Sequence, residues 1–328
     1  MRFIFNIIVL FLCICHIAGA QERINPAKGL SVDYSGDTLV FKRVKDKQIA
    51  FCLPVKEGSA FHYLEFSPSG NYLVTSGKGP ATHLYLMKND TAILVRSWPA
   101  LTEESVFDQT EKSVFLLHTR SLLKTQLYAC ATEPGEQYAR VILPFRAHDL
   151  SIDASGSRLA LCEGANIRTY HAATLRKQKV YRQRTPQRLL AFNPRIADEL
   201  AGVDERNHIR IINLEKDSLI TEIDGHGAAI TWMKYDPAGT LLASLDKQGN
   251  LSTWMPSVKE CIAQFEHVGG VPVFGEDGTL HLSPRGKSKP DMVGFKKTAR
   301  SEKGKNHSYF LETSSLRHTL ELPAGWLC

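Results

Sequence analysis

Apolar and polar residues alternate at every second position over short runs along most of the chain, and each run ends in turn-forming residues. Tyr63-Leu64-Glu65-Phe66 leads into Ser67-Pro68-Ser69-Gly70, and a second run, Tyr72-Leu73-Val74, follows. The same order recurs at Trp232-Met233-Lys234-Tyr235, Asp236-Pro237-Ala238-Gly239 and Leu241-Leu242-Ala243, and again at Leu150-Ser151-Ile152, Asp153-Ala154-Ser155-Gly156 and Leu159-Ala160-Leu161. A period of two marks strands, whereas a helix needs apolar residues 3.6 apart, so each unit predicts strand, tight turn, strand.

Degenerate copies follow Leu190-Ala191-Phe192-Asn193-Pro194 and surround Ser35-Gly36, Thr110-Glu111 and Asp277-Gly278. With Gly36, Gly70, Glu111, Gly156, Ala197, Gly239 and Gly278 as markers, the steps are 34, 41, 45, 41, 42 and 39 residues. Second hairpins complete the units, as in residues 84–87 with 92–95, 209–214 with 218–223, and 308–311 with 318–322. Four strands every 40 residues predict propeller blades, because a lone sheet of that size must bury its faces against neighbours. The predicted fold is all-β, a single β-propeller of seven four-stranded blades. Six is the alternative count, since the first unit is short after Cys52.

One unit carries more than spacing. Gly225-His226, Ile230-Thr231-Trp232, Asp236 to Ser244, Asp246 and Asn250-Leu251-Ser252-Thr253-Trp254 resemble a WD repeat almost position for position, with Met255 in place of the closing Asp. That resemblance implies that His226, Ser244, Asp246 and Trp254 form a buried hydrogen-bonded chain between strands, a structural role and not a catalytic His–Asp pair. The other units match in spacing and lack the signature residues.

The ends and the charge add to the picture. Arg2, an apolar run from Phe3 to Ile14, and Ala18-Gly19-Ala20 have the three-part layout of a secretory signal peptide. Cleavage after Ala20 is expected, leaving a secreted or periplasmic propeller over residues 21–328. Five cysteines then remain, Cys52, Cys130, Cys162, Cys261 and Cys328, without a disulfide framework. Cys52, Cys130 and Cys162 lie in apolar runs and are expected to be small buried hydrophobes.

The net charge of +6 is mild, but two stretches concentrate it. Arg176, Lys177, Lys179, Arg182 and Arg184 have no acid between them. Lys287, Lys289, Lys296 and Lys297 fall in a Pro- and Gly-marked stretch, about 284–306, read as a basic loop insertion in the last blade. Both are candidate docks for an acidic partner. Aromatic residues are not interleaved as single-stranded nucleic acid would require, so no nucleic-acid partner is expected.

No G-x-S-x-G elbow, H-E-x-x-H helix, Walker loop or EF-hand loop occurs, so no catalytic residue, metal or cofactor is assigned. Ser244-Leu245-Asp246-Lys247-Gln248-Gly249 approaches the aspartate box of sialidases, but its glycine is one place late and the box appears once. The chain therefore reads as an exported scaffold that binds protein. An enzyme of hydrolase or lactonase type, with a site in the central channel, is the alternative.

Overall fold

The computed structural model describes residues 23–25, 27–35, 38–55, 61–77, 81–99, 101–121, 124–133, 139–266, 268–275, 278, 280–282, 291–295, 307–313 and 316–322. Those residues form seven antiparallel-built sheets and no helix. The fold is a β-propeller with seven blades. Blades one to five cover residues 23–54, 61–98, 102–143, 148–182 and 187–223, each with four strands in chain order from the inside outward. Blade six begins at residue 230 and blade seven at residue 273.

The alternation of the sequence becomes two buried faces per sheet. Six clusters of apolar side chains each join one blade to the next. Phe41 and Leu39 of blade one meet Phe61 and Leu73 of blade two. Leu84 and Trp98 of blade two meet Phe107 and Leu116 of blade three. Leu127 and Leu143 meet Leu150 and Leu161 across the third junction, and Ile167 and Tyr181 meet Phe192 and Leu200 across the fourth. Val203 and Ile211 meet Met233 and Trp254, while Trp232 and Phe265 meet Leu280. At about 25 cal/mol per Å² of apolar area removed from water, these junctions hold the ring together.

The inner strands keep a common irregularity. Their pairing with the second strand slips by one residue at His62, Glu103, Arg188 and Thr231, and at Asp149 in blade four. Such a bulge sharpens local twist and leaves one residue free to be re-aimed. Asp149 is the extreme case, with φ at +55°, a left-handed conformation that a non-glycine residue adopts at some cost.

Three readings of the sequence change. Blade one is complete, because its first strand is Arg23–Asn25 and the hairpin closed by the Ser35–Thr38 pair joins its second and third strands. The N–H of Val44 bonds Gly29 O as that of Met87 bonds Asn71 O, so Gly29 and Asn71 are counterparts and the short first step disappears. Cys52 lies exposed on the outer strand Ile49–Pro54, while Cys130 and Cys162 are buried as expected. Burial pushes the Cys130 thiol up to about 12, which keeps it unreactive.

The third concerns the stretch read as a loop insertion. It includes the strand Asp291–Phe295, which pairs antiparallel with Glu260–Glu266 as a fifth, outermost strand of blade six. The chain then returns to blade seven, where His307–Thr313 pairs parallel to Leu280–Leu282 and antiparallel to Leu316–Leu322. A parallel neighbour cannot be reached by a hairpin, so the excursion to blade six serves as the crossover.

Candidate functional site

In blade six the resemblance-based residues come together. Ser244 Oγ receives the Trp254 Nε1–H at 2.8 Å and lies 2.8 Å from His226 Nε2. His226 Nδ1 stands 3.6 Å from Asp246 Oδ2, with side-chain exposures of 4% and 2%. Asp246 also accepts the backbone N–H groups of Gln248 and Asn250 and the Asn250 amide. The His–Asp pair is therefore buried within the blade and surrounded by blade-six partners. The preceding Gly225 is required by packing, since a Cβ there would lie 2.1 Å from Asn207 O of blade five.

The turns between first and second strands form one rim, and side chains tie successive turns together. Asn25 Nδ2 donates to Gly70 O at 2.8 Å, and Asn193 Nδ2 to Gly239 O at 2.9 Å. Ser69 donates its N–H and hydroxyl to the Glu111 carboxylate at 2.6 and 2.5 Å. Arg158 reaches from blade four to Asp198 and to Ala197 O, and Arg195 from blade five to Pro237 O. Gly70 and Gly239 sit at φ +70° and +69°, with asparagine oxygens where a Cβ would be.

The centre of the ring holds a cluster that spacing along the chain did not reveal. Counting back from the residue that ends each inner strand's turn, Arg23, Glu65 and Lys234 occupy one level, two residues before Asn25, Ser67 and Asp236. Glu104 and Asp149 occupy the next level inward, four residues before Asp108 and Asp153. Lys234 Nζ is 3.3 Å from Glu65 Oε1, and Arg23 Nη1 is 3.7 Å from Glu65 Oε2. Asp149 accepts the backbone N–H of Leu190, and Ser151 Oγ that of Phe192, so blade four's inner strand satisfies the open edge of blade five's. Tyr63 does the same for Ser105 across the junction of blades two and three, at 2.8 Å.

Titration in this cluster is displaced. Burial, then the charges of Asp149 and Glu65, hold the Glu104 carboxyl well above the usual carboxylate range, against the opposing pull of Arg23 and Lys234. Burial likewise pushes Asp149 up to about 7, although backbone N–H groups and Lys234 favour its ionised form. A cavity of about 500 Å³ adjoins the cluster at Lys234 and is lined also by Ile24, Phe66, Ser105, Phe107, Tyr235 and Phe274. Among the described residues, no group of three His, Cys, Asp or Glu is arranged to hold a metal ion.

The basic residues divide. Lys177, Lys179 and Arg182 are exposed on the outer strand of blade four, Lys177–Arg182, with Arg176 and Arg184 exposed on either side. Lys179 is 3.6 Å from Asp217 of blade five and 4.6 Å from the Tyr181 ring centre. Lys287, Lys289, Lys296 and Lys297 lie outside the described residues.

No family model matches the chain, and no curated protein matches it. Its fold is similar to that of one chain in a crystal structure of the mitotic checkpoint complex, with a TM-score of 0.62 and 14% sequence identity. The match covers 77% of this chain and 79% of that one. The identity is too low to carry more than architecture, and the architecture is that of a WD-like β-propeller.

Proposed function

We propose that this protein is an exported, non-catalytic binding platform that presents a stiff rim to a protein partner. One observation carries the reading: side chains tie neighbouring first-to-second-strand turns together at four blade junctions, through Asn25–Gly70, Ser69–Glu111, Arg158–Asp198 and Asn193–Gly239. Loops held rigidly by a packed scaffold lose little entropy on association, which favours recognition. The exposed cations Arg176, Lys177, Lys179, Arg182 and Arg184 would add electrostatic steering toward an acidic partner.

The test is affinity capture from the native envelope fraction, with intact-mass analysis of the exported chain. A mature chain starting at Gln21 is expected, with a specific partner that the rim variant Arg195→Glu no longer retains. Retention of the same partner by that variant in folded form would move the interface away from the rim. Raising salt should weaken capture if the outer strand of blade four contributes.

A second reading, an enzyme of hydrolase or lactonase type acting in the channel, is favoured by one observation, the displaced titration of Glu104 and Asp149. Turnover of ester or lactone substrates, abolished in Asp149→Asn but kept in Asp246→Asn, would support it.

A further inference from the structure

We propose that the cavity beside Lys234 is a binding site for a small organic acid, one carboxylate carried on an aromatic or branched apolar body. The inference goes beyond the platform reading, and it holds whether or not a partner occupies the rim.

Shape and lining are the first ground. The space is about 500 Å³, within the range of sites that enclose a small molecule, and five blades contribute to its wall. Four rings, Phe66, Phe107, Tyr235 and Phe274, together with Ile24 make that wall chiefly apolar. The Tyr235 hydroxyl donates to Glu199 Oε1 at 3.0 Å, so its proton is spent and the ring is what faces a ligand. An apolar body entering here releases water from the facing rings, which favours binding.

The polar groups of the wall are few, and they are donors. Lys234 is its one charged side chain among the described residues, and no carboxylate lines it. The ammonium is 3.3 Å from Glu65 Oε1, yet more than half of the lysine side chain is exposed. Glu65 also has Arg23 Nη1 at 3.7 Å from its Oε2, so it keeps a cationic neighbour when Lys234 turns to a ligand.

Ser105 and Ser67 add hydroxyls to the same wall. The Ser105 N–H donates to the Tyr63 hydroxyl at 2.8 Å, and that hydroxyl lies 3.0 Å from Ser105 Oγ. With the Tyr63 proton directed to Ser105 Oγ, the Ser105 proton is left to donate. Ser67 Oγ accepts the Tyr72 N–H at 3.0 Å and likewise keeps its own proton for a further acceptor.

An ammonium and two hydroxyls, with no carboxylate in the wall to oppose them, select an acceptor that carries negative charge. A cation meets Lys234 as a like charge, and a neutral ligand gains only the burial of its body. A second anionic group finds no second cation in the wall, so one charge is the fit. A volume of this size encloses a molecule of one or two rings whole, which favours a free acid over the end of a longer chain.

The test is isothermal titration of the purified chain with phenylbutyrate, with phenylbutanol as the neutral counterpart and phenylbutylammonium as the cation. An N-acetylated tripeptide ending in a free phenylalanine carboxylate is the fourth probe. Phenylbutyrate should bind about tenfold or more tightly than phenylbutanol, and the ammonium should not bind. Lys234→Met should remove that preference while leaving the weaker binding of phenylbutanol unchanged. Phe274→Ala should weaken acid and alcohol by a similar factor, and circular dichroism should show both variants folded. Binding of the free acid with this preference supports the proposal, whether or not the tripeptide also binds. No phenylbutyrate binding, equal binding of acid and alcohol, binding of the ammonium, a Lys234→Met chain that keeps the preference, or binding of the tripeptide alone would overturn it.

Discussion

Lys234 of blade six places its Nζ 3.3 Å from Oε1 of Glu65 in blade two, so a single ion pair links inner strands on opposite parts of the ring. More than half of the lysine side chain is exposed, and the bond itself contributes little to stability. Its effect is on titration. Lys234→Met should raise the carboxyl pKa of both Asp149 and Glu104, because the ammonium favours their ionised forms. Carbon-detected NMR titration of the two side chains checks this, and an unchanged Asp149 would place Lys234 outside the cluster.

Stability should depend on these acids in a definite direction. Their folded-state pKa values lie above the unfolded ones, so the folded state binds more protons between roughly pH 4 and 7 and loses stability as pH rises through that window. Glu104→Gln removes the charge that must be buried. It should stabilise the protein relative to the parent at pH 8 and by much less at pH 5. Denaturant melts at the two pH values provide the comparison, and a variant equally destabilised at both would contradict the assignment.

Asp246→Ala should cost about 1–3 kcal/mol, since it strips partners from two backbone N–H groups, the Asn250 amide and His226 in a buried setting. Trp254→Phe should cost less, leaving Ser244 Oγ with His226 as its neighbour. A lower melting temperature with rim binding preserved in folded protein is the expected pattern. Loss of an activity at unchanged melting temperature would assign the His–Asp pair a catalytic role instead.

Glu111 separates backbone strain from side-chain anchoring. It sits at φ +54°, where glycine would relieve about 1 kcal/mol, yet its carboxylate holds the Ser69 N–H and hydroxyl. Charge-assisted bonds of that kind contribute about 1.5–3 kcal/mol. Glu111→Gly should therefore be a net loss of about 1 kcal/mol, and Ser69→Ala should add little in that background. A stabilised Glu111→Gly would show that the junction of blades two and three does not need this link.

Features confined to one repeat were legible in the chain. The turn glycines Gly70, Gly156 and Gly239 and the chain of His226, Ser244, Asp246 and Trp254 each lie within about 30 residues, so local spacing carries them. The first unit is out of step in the sequence because a hairpin between second and third strands, closed by Ser35 and Thr38, looks the same there as a turn between first and second. At one inner-strand level Val106, Ala191 and Val273 are apolar, while Arg23, Glu65 and Lys234 put charge there.

Alternation by two and turns at a steady interval were enough to determine strands, blades and an all-β ring, because those depend on contacts between neighbours in the chain. Which charges face each other was decided only by closure of the ring. Glu65 and Lys234 are 169 residues apart, and no periodicity relates their signs. The same is true of Asp291–Phe295, whose place on blade six depends on an open strand edge elsewhere in the fold. Electrostatic and edge-pairing energies act through space between distant segments, whereas the pattern along a chain records chiefly the burial and turn preferences of each segment itself.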